Sequence, residues 1–202
     1  MNSRRRLVAI VLGSVLAVTC TTAARLALAG DRDHTSGAFD PYLHRSSGAL
    51  ADPVNLIFRG SLSQAEQAVP RVLGWQPVQG SMMVFYDHGE HVRTGAQFGL
   101  NLPGGSRFHL RLEAVTGAHG ASYVLAGVHR DDLTACGHVG RAFNAARDLV
   151  AGQFAQAGYT VTREYLGNTT PGRQCDGSFT AGDGAAAVID LTGTVRPSTA
   201  SH

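Results

Sequence analysis

Residues 108–115 constrain the fold more than any other segment, because the side chains from Phe108 to Ala114 alternate between apolar and polar. Such a period of two is typical of a β-strand with one apolar face. Turn-forming residues follow at 117–120 and a second apolar run at 121–129, which predicts an antiparallel hairpin. The apolar face holds Phe108, Leu110, Leu112 and Ala114, and the opposite face holds His109, Arg111 and Glu113.

Patterns on both sides of the hairpin predict the complete order of elements. Apolar residues at helical spacing predict one helix over residues 63–73 and a second over about 140–157. The order β-α-β-β-α-β predicts an α+β fold, a ferredoxin-like split β-α-β two-layer sandwich with an inserted loop region at 75–107. We expect the helices on one face of an antiparallel sheet and the other face open. The remaining predicted strands lie at residues 54–58, 82–86, 159–165 and 186–191.

The first 29 residues have the composition of an export signal. Three arginines at 4–6 precede an apolar run at 7–19, and residues 27–29 form a small-residue cleavage site. The alternative is an uncleaved membrane anchor over residues 7–24. Either interpretation predicts an extracytoplasmic domain, secreted or anchored at the cell envelope, that meets the membrane only through this segment. The export route is general secretion or the twin-arginine pathway.

The rest of the chain divides into three parts. Residues 30–50 are rich in Gly, Ser and Asp and predict a flexible linker, and residues 196–202 predict a tail. Residues 51–195 between them are long enough for one hydrophobic core and not for two. The sequence therefore predicts a single folded α+β domain.

The charged residues exclude several kinds of chemistry. All 17 basic residues are arginine, so neither the lysine of a phosphate-binding P-loop nor a Schiff-base lysine is present. From residue 30 onward there are 13 arginines and 15 acidic residues. A slightly acidic domain lacks the basic surface of a nucleic-acid binder, so no nucleic acid is expected as a partner. The sequence identifies no cofactor.

Two cysteines remain beyond the export signal, Cys136 and Cys175. Cysteines tend to pair outside the cytoplasm, and an even count in an exported domain predicts one disulfide bond between them. The alternative is a reactive or metal-bound thiol.

Short motifs are spread over residues 50–165. They are Asp52-Pro53-Val54-Asn55-Leu56-Ile57-Phe58, Leu73-Gly74-Trp75, His109-Leu110-Arg111-Leu112, Ala126-Gly127-Val128-His129-Arg130-Asp131, and His138 ahead of Arg147-Asp148. In this order and spacing they resemble the LssY C-terminal domain family. The resemblance implies an envelope-associated domain, and the family has no established activity. Some relatives carry membrane segments of the phosphatidic-acid-phosphatase type, and that chemistry is not carried over to this chain.

The polar face of the hairpin supplies the candidate catalytic residues, His109, His129 and Asp131. Imidazoles and carboxylates are the groups that a hydrolytic site or a metal centre needs. The candidate ligand-binding residues are Arg111, His138 and Arg147, and Arg147 has a structural ion pair as its alternative. We expect an accessory domain that binds an envelope ligand or protein partner on its open sheet face. The alternative function is a hydrolase, possibly metal-dependent, that uses these residues. The alternative interpretation of the polar face is a solvated surface with ordinary cross-strand pairs and no site.

A second polar motif, Asp87-His88-Gly89-Glu90-His91, lies in the inserted region. Its two histidines are separated by a glycine that favours a turn, so they need not share one face. The motif predicts a polar loop, and metal binding is the alternative.

Overall fold

The computed structural model describes residues 39–45, 50–79, 83–87, 90–93, 95–116, 121–168, 172–180 and 182–193. The predicted export signal at 1–29 and the predicted tail at 196–202 lie outside them. Among the described residues, no helix has the length and apolar character needed to cross a lipid bilayer. The side chains of residues 81–94 lie outside the description too, and with them the motif at 87–91.

The described part contains both helices and strands, which confirms an α+β fold. The two helices are α1 (Leu62–Leu73) and α2 (Phe143–Gln156). The strands are β1 (Phe39–Arg45), β2 (Leu50–Pro53), β3 (Leu56–Arg59), β4 (Gln76–Pro77), β5 (Met83–Asp87), β6 (Glu90–Arg93), β7 (Ala96–Asn101), β8 (Arg107–Thr116), β9 (Ser122–Thr134), β10 (Gly137–Arg141), β11 (Thr160–Tyr165), β12 (Gly172–Arg173), β13 (Phe179–Thr180) and β14 (Ala185–Asp190).

The main sheet has eight strands in the order β11-β14-β3-β9-β8-β7-β4, with β10 paired to β9. Neighbouring strands are antiparallel except β14 and β3, which run parallel. The expectation of a purely antiparallel sheet is therefore wrong at this position. The late strand β14 lies between β11 and β3 and pairs with both of them.

The predicted hairpin is the centre of this sheet. Strands β8 and β9 pair over ten residues of β8, with Leu110 opposite Val128 and Leu112 opposite Ala126. These four side chains belong to the core that α1 and α2 cover. The alternation seen in the sequence thus selects the face that packs against the helices.

A second sheet covers the opposite face, so the expectation of an open sheet face is wrong. Its strand order is β2-β1-β5-β6, and β1 lies in the segment that the sequence predicts as a linker. Pro41 and polar neighbours conceal this strand in the sequence. Leu43 of β1 packs directly over Gly127, where an added Cβ would lie 2.9 Å from the Leu43 Cδ1 atom. The apolar part of this interface is formed by Leu43, Val54, Ile57, Val115, Leu125, Ala186 and Val188.

The side chain of Asn55 fills the point where β9 changes partner from β3 to β10. Its Nδ2 atom donates to the carbonyl oxygens of Val128 at 2.8 Å and Phe143 at 3.1 Å. Its Oδ1 atom accepts from the backbone N–H of Val128 at 2.9 Å. Asn55 is buried, so its amide provides partners for both backbone groups of Val128 at this break and also donates to the first carbonyl of α2.

The predicted disulfide bond between Cys136 and Cys175 is present, with the two Cα atoms 6.0 Å apart. It joins the turn that follows β9 to the segment before β13. The bond spans 39 residues of sequence. Loop closure of this length stabilises the folded chain by about 3–4 kcal/mol in the chain-entropy description.

A buried His–Asp cluster between the two sheets

The pairing of β8 with β9 brings the predicted catalytic residues together. His109 lies directly opposite His129, so both imidazoles are on the face away from the helices. Asp131 follows two residues after His129 and therefore lies on the same face. Ligand atoms of these three residues all lie within 4.8 Å of one another. The structure therefore brings the three candidate residues His109, His129 and Asp131 together.

The Asp131 carboxylate joins the two imidazoles. Its Oδ1 atom lies 2.8 Å from the His129 Nε2 atom, and its Oδ2 atom lies 3.3 Å from the His109 Nδ1 atom. Arg107 donates to the same Oδ2 atom from its Nε atom at 3.0 Å. One carboxylate therefore bridges both histidines and is held by an arginine at its outer side.

Two further side chains meet the opposite nitrogens of the imidazoles. The His129 Nδ1 atom lies 3.4 Å from the Oδ2 atom of Asp52, and the His109 Nε2 atom lies 3.0 Å from the Oε1 atom of Gln97. Asp52 comes from β2, and Arg111 donates to its Oδ2 atom at 2.8 Å. The anion that Arg111 holds is thus a carboxylate of the protein itself.

The cluster is closed to solvent. His109, His129 and Asp131 are 0%, 2% and 3% exposed. Phe143 lies over His129 with the ring centroids 5.2 Å apart. An added Cβ at Gly140 would lie 3.3 Å from the His129 Cδ2 atom, so glycine lets β10 approach the ring closely. The interpretation of these residues as a solvated sheet face is wrong, because the second sheet covers them.

Burial lowers the pKa of His109 to about 4, because the imidazolium form would lose its hydration. Contact with Asp131 opposes this shift and the Arg111 charge adds to it. Burial alone would raise the pKa of Asp131, but the contacts with His109 and His129 outweigh it and hold that pKa below its usual range. The cluster therefore contains a carboxylate beside a neutral His109 at neutral pH.

The Nδ1 atoms of both histidines lack a hydrogen-bond partner within the described part of the protein. The contacts of 3.3 Å to Asp131 and 3.4 Å to Asp52 are close enough for an ion pair. Neither has the direction of a hydrogen bond. Buried polar atoms without such a bond are uncommon in proteins, so these two nitrogens are candidates for binding a further group.

The structure leaves two predicted ligand-binding residues out of the cluster. His138 lies exposed on β10 at the register position of Leu133. Arg147 is buried on α2, where it forms a two-point ion pair with Asp183, at 2.6 and 3.0 Å, and donates to Asp148. Arg147 thus holds α2 to the segment before β14. Its role is the structural ion pair that was the alternative to ligand binding.

Sequence reasoning did not select Asp52, Gln97 and Arg107. Asp52 comes from β2, which is distant in sequence from the hairpin, and Gln97 comes from β7, which lies in the region that the sequence predicts as an inserted loop. Only the alternation of β8 could have indicated Arg107, because Arg107 lies on the same face as His109 and opposite Asp131.

The low pKa of His109 predicts that the domain loses stability in mild acid. The unfolded chain protonates this imidazole near pH 6.5, whereas the folded chain protonates it only near pH 4. The unfolded state thus binds more protons in this interval, and stability falls by about 3 kcal/mol as the pH drops through it. Urea unfolding of chelator-treated protein between pH 7 and pH 4 measures the fall.

In His109→Gln, the fall in stability between pH 7 and pH 4 should be smaller than in the original chain by about 3 kcal/mol. The matched control is His138→Ala, which removes an exposed histidine and should keep the pH dependence of the original chain. An equal fall in all three proteins would show that His109 is not the group responsible.

Comparison with known proteins adds no information about this site. No protein-family model, curated protein or solved structure matches the chain. The function is therefore argued from the geometry of the cluster.

Proposed function

We propose that the domain binds a divalent transition-metal ion, with Zn²⁺ as the reference ion, through His109, His129 and Asp131. The observation that carries the proposal is that each imidazole lies between two oxygen acceptors. His129 meets Asp131 at 2.8 Å and Asp52 at 3.4 Å, and His109 meets Gln97 at 3.0 Å and Asp131 at 3.3 Å. A neutral imidazole has one N–H group and can serve only one of its two acceptors.

A cation beside Asp131 supplies what the two rings lack. The His109 Nδ1 atom and the His129 Nε2 atom both face this carboxylate, so one ion can accept lone pairs from both nitrogens. Ligand bonds of about 2.0–2.2 Å place neighbouring ligand atoms about 3 Å apart. The contacts of 2.8 and 3.3 Å lie near that separation. Two imidazoles and one carboxylate are a donor set that zinc, iron, nickel and copper accept.

The burial of the His–Asp cluster favours ion binding over hydrolysis of a substrate. At most 3% of the surface of His109, His129 or Asp131 is exposed, so a substrate has no room beside them. A hydrolase needs a position where the reacting group of the substrate can lie next to the catalytic residues. We therefore propose an accessory domain with a bound ion and not an enzyme.

The wider proposal is an exported domain of the cell envelope that resembles the LssY C-terminal family. The disulfide bond between Cys136 and Cys175 supports an oxidising compartment. The helix-and-strand order supports a ferredoxin-like sandwich in which β14 is an additional strand beside β3. In this proposal an envelope ligand or protein partner binds to the outer surface of the domain and does not contact the buried ion.

Metal analysis tests the binding role directly. The full chain, purified without a histidine tag, is expected to carry about one zinc ion per molecule after dialysis against zinc. Competition with a chromophoric chelator should show a loss of affinity of at least about 100-fold in His109→Ala and in His129→Ala. His138→Ala, at an exposed histidine, should bind as the original chain does. No bound ion, or equal affinity in all four proteins, would contradict the proposal.

A further inference from the structure

The nitrogens of His109 and His129 that face away from Asp131 each meet a buried or half-buried oxygen acceptor. For His109 the acceptor is Gln97, and for His129 it is Asp52. We infer that Gln97 and Asp52 are positioning residues that decide which nitrogen of each imidazole binds the ion. This inference rests on the proposed metal site and adds the binding mode and the residues that set it.

The side chain of Gln97 fixes the tautomer of His109. Gln97 lies opposite Arg111 on β7, so it reaches His109 diagonally along the same sheet face. Its Oε1 atom lies 3.0 Å from the His109 Nε2 atom and can only accept a hydrogen bond from it. The hydrogen then resides on Nε2, and the lone pair of Nδ1 faces Asp131. His109 therefore binds the ion through Nδ1.

Asp52 acts in the same way on His129, from the opposite side and with a negative charge. A carboxylate beside Nδ1 favours a hydrogen on that atom, which leaves the lone pair of Nε2 for the ion. The contact is long, at 3.4 Å. Binding of a cation at Nε2 makes the Nδ1 hydrogen more acidic and so favours a hydrogen bond from it to the carboxylate. His129 therefore binds the ion through Nε2, in the opposite sense to His109.

Arg111 keeps Asp52 outside the ligand set. Its Nη1 atom donates at 2.8 Å to the same Oδ2 atom that faces His129. Both residues are 6% exposed, so this pair is shielded from solvent. An oxygen already bound by a guanidinium is a poor ligand for a second cation, but it remains a good acceptor for the imidazole N–H group.

The site is consequently complete only when the two sheets are docked. The ligands lie on β8 and β9 of the main sheet, whereas Asp52 lies on β2 of the covering sheet. Loss of the Asp52 charge should weaken binding although no ligand is changed. Outer residues of this kind are typically worth about 10–100-fold in metal affinity.

Two measurements on the full chain test the inference. In the zinc-loaded protein, ¹⁵N NMR of the histidine rings should show the ion on Nδ1 of His109 and on Nε2 of His129. Asp52→Asn should lower zinc affinity about 10–100-fold in chelator competition. The matched control is Asp132→Asn, which removes a carboxylate of β9 that contacts Arg130 and Ser106 instead of the cluster.

The outcomes separate this inference from the proposed function. If the original chain binds no zinc, the proposed metal site fails and the inference fails with it. If the original chain binds zinc but the ring nitrogens are the opposite ones, only the inference is overturned. Affinity in Asp52→Asn equal to that of Asp132→Asn would overturn it as well. The ring measurement needs no variant, so it decides the question even where Asp52→Asn does not fold.

Discussion

Replacement of Asp131 by alanine should lower the free energy of unfolding by about 3–5 kcal/mol and abolish zinc binding. The Asp131 carboxylate contacts His109, His129 and Arg107 within 3.3 Å and is 3% exposed. Its removal leaves two buried imidazoles without their shared acceptor and leaves Arg107 without its partner. Urea unfolding in the presence of a chelator measures the change in the free energy of unfolding without any contribution from bound zinc.

The neighbouring Asp132 provides the control for this prediction. Its side chain is 30% exposed and pairs with Arg130 at the surface. Exposed pairs contribute about 0–1 kcal/mol, so Asp132→Ala should change stability little. A loss below about 1 kcal/mol in Asp131→Ala would show that the cluster does not contribute to folding.

Replacement of Asn55 by alanine should lower the free energy of unfolding by about 2–6 kcal/mol, because two buried backbone groups each lose a partner worth about 1–3 kcal/mol. These groups are the N–H and the carbonyl of Val128, whereas the carbonyl of Phe143, which also loses a donor, lies within α2. The loss falls directly before His129, so zinc affinity should fall too. Chemical unfolding together with chelator competition measures both effects.

Asn101 at the end of β7 serves as the matched control, because it is an exposed asparagine. Asn101→Ala should stay within about 0.5 kcal/mol of the original chain. If Asn55→Ala were as mild, water would have to replace the amide at the break in β9, and the role assigned to Asn55 would be wrong.

The sequence predicts which face of the hairpin each residue joins but not what covers that face. The alternation over residues 108–115 places His109 with Arg111 correctly, since a strand has a period of two. Polar residues on a strand usually indicate solvent, and that expectation fails here. Their charges are neutralised in buried pairs, such as Arg111 with Asp52. A local pattern contains no information about a partner so distant in sequence.

The same limit explains the other differences. Strand β14 inserts beside β3 through a pairing between segments far apart in the chain, which no local period can indicate. His138 and Arg147 are of the right residue types for a site, but their positions depend on the register of β10 and the rotation of α2. In contrast, the disulfide followed from counting cysteines, because only one pairing was available beyond residue 29.

The position of β3 has a consequence for how the chain matures. One edge of β3 pairs with β9, but the other waits for β14, where Leu56 meets Ala187. When a chain is synthesised or exported with its N-terminus first, one edge of β3 stays unpaired until β14 near the C-terminus has been released. Unpaired edges of apolar strands promote aggregation. The bond between Cys136 and Cys175 encloses α2 and β11 and can close before β14 arrives. The disulfide bond can thus restrain α2 and β11 before β14 pairs between β11 and β3.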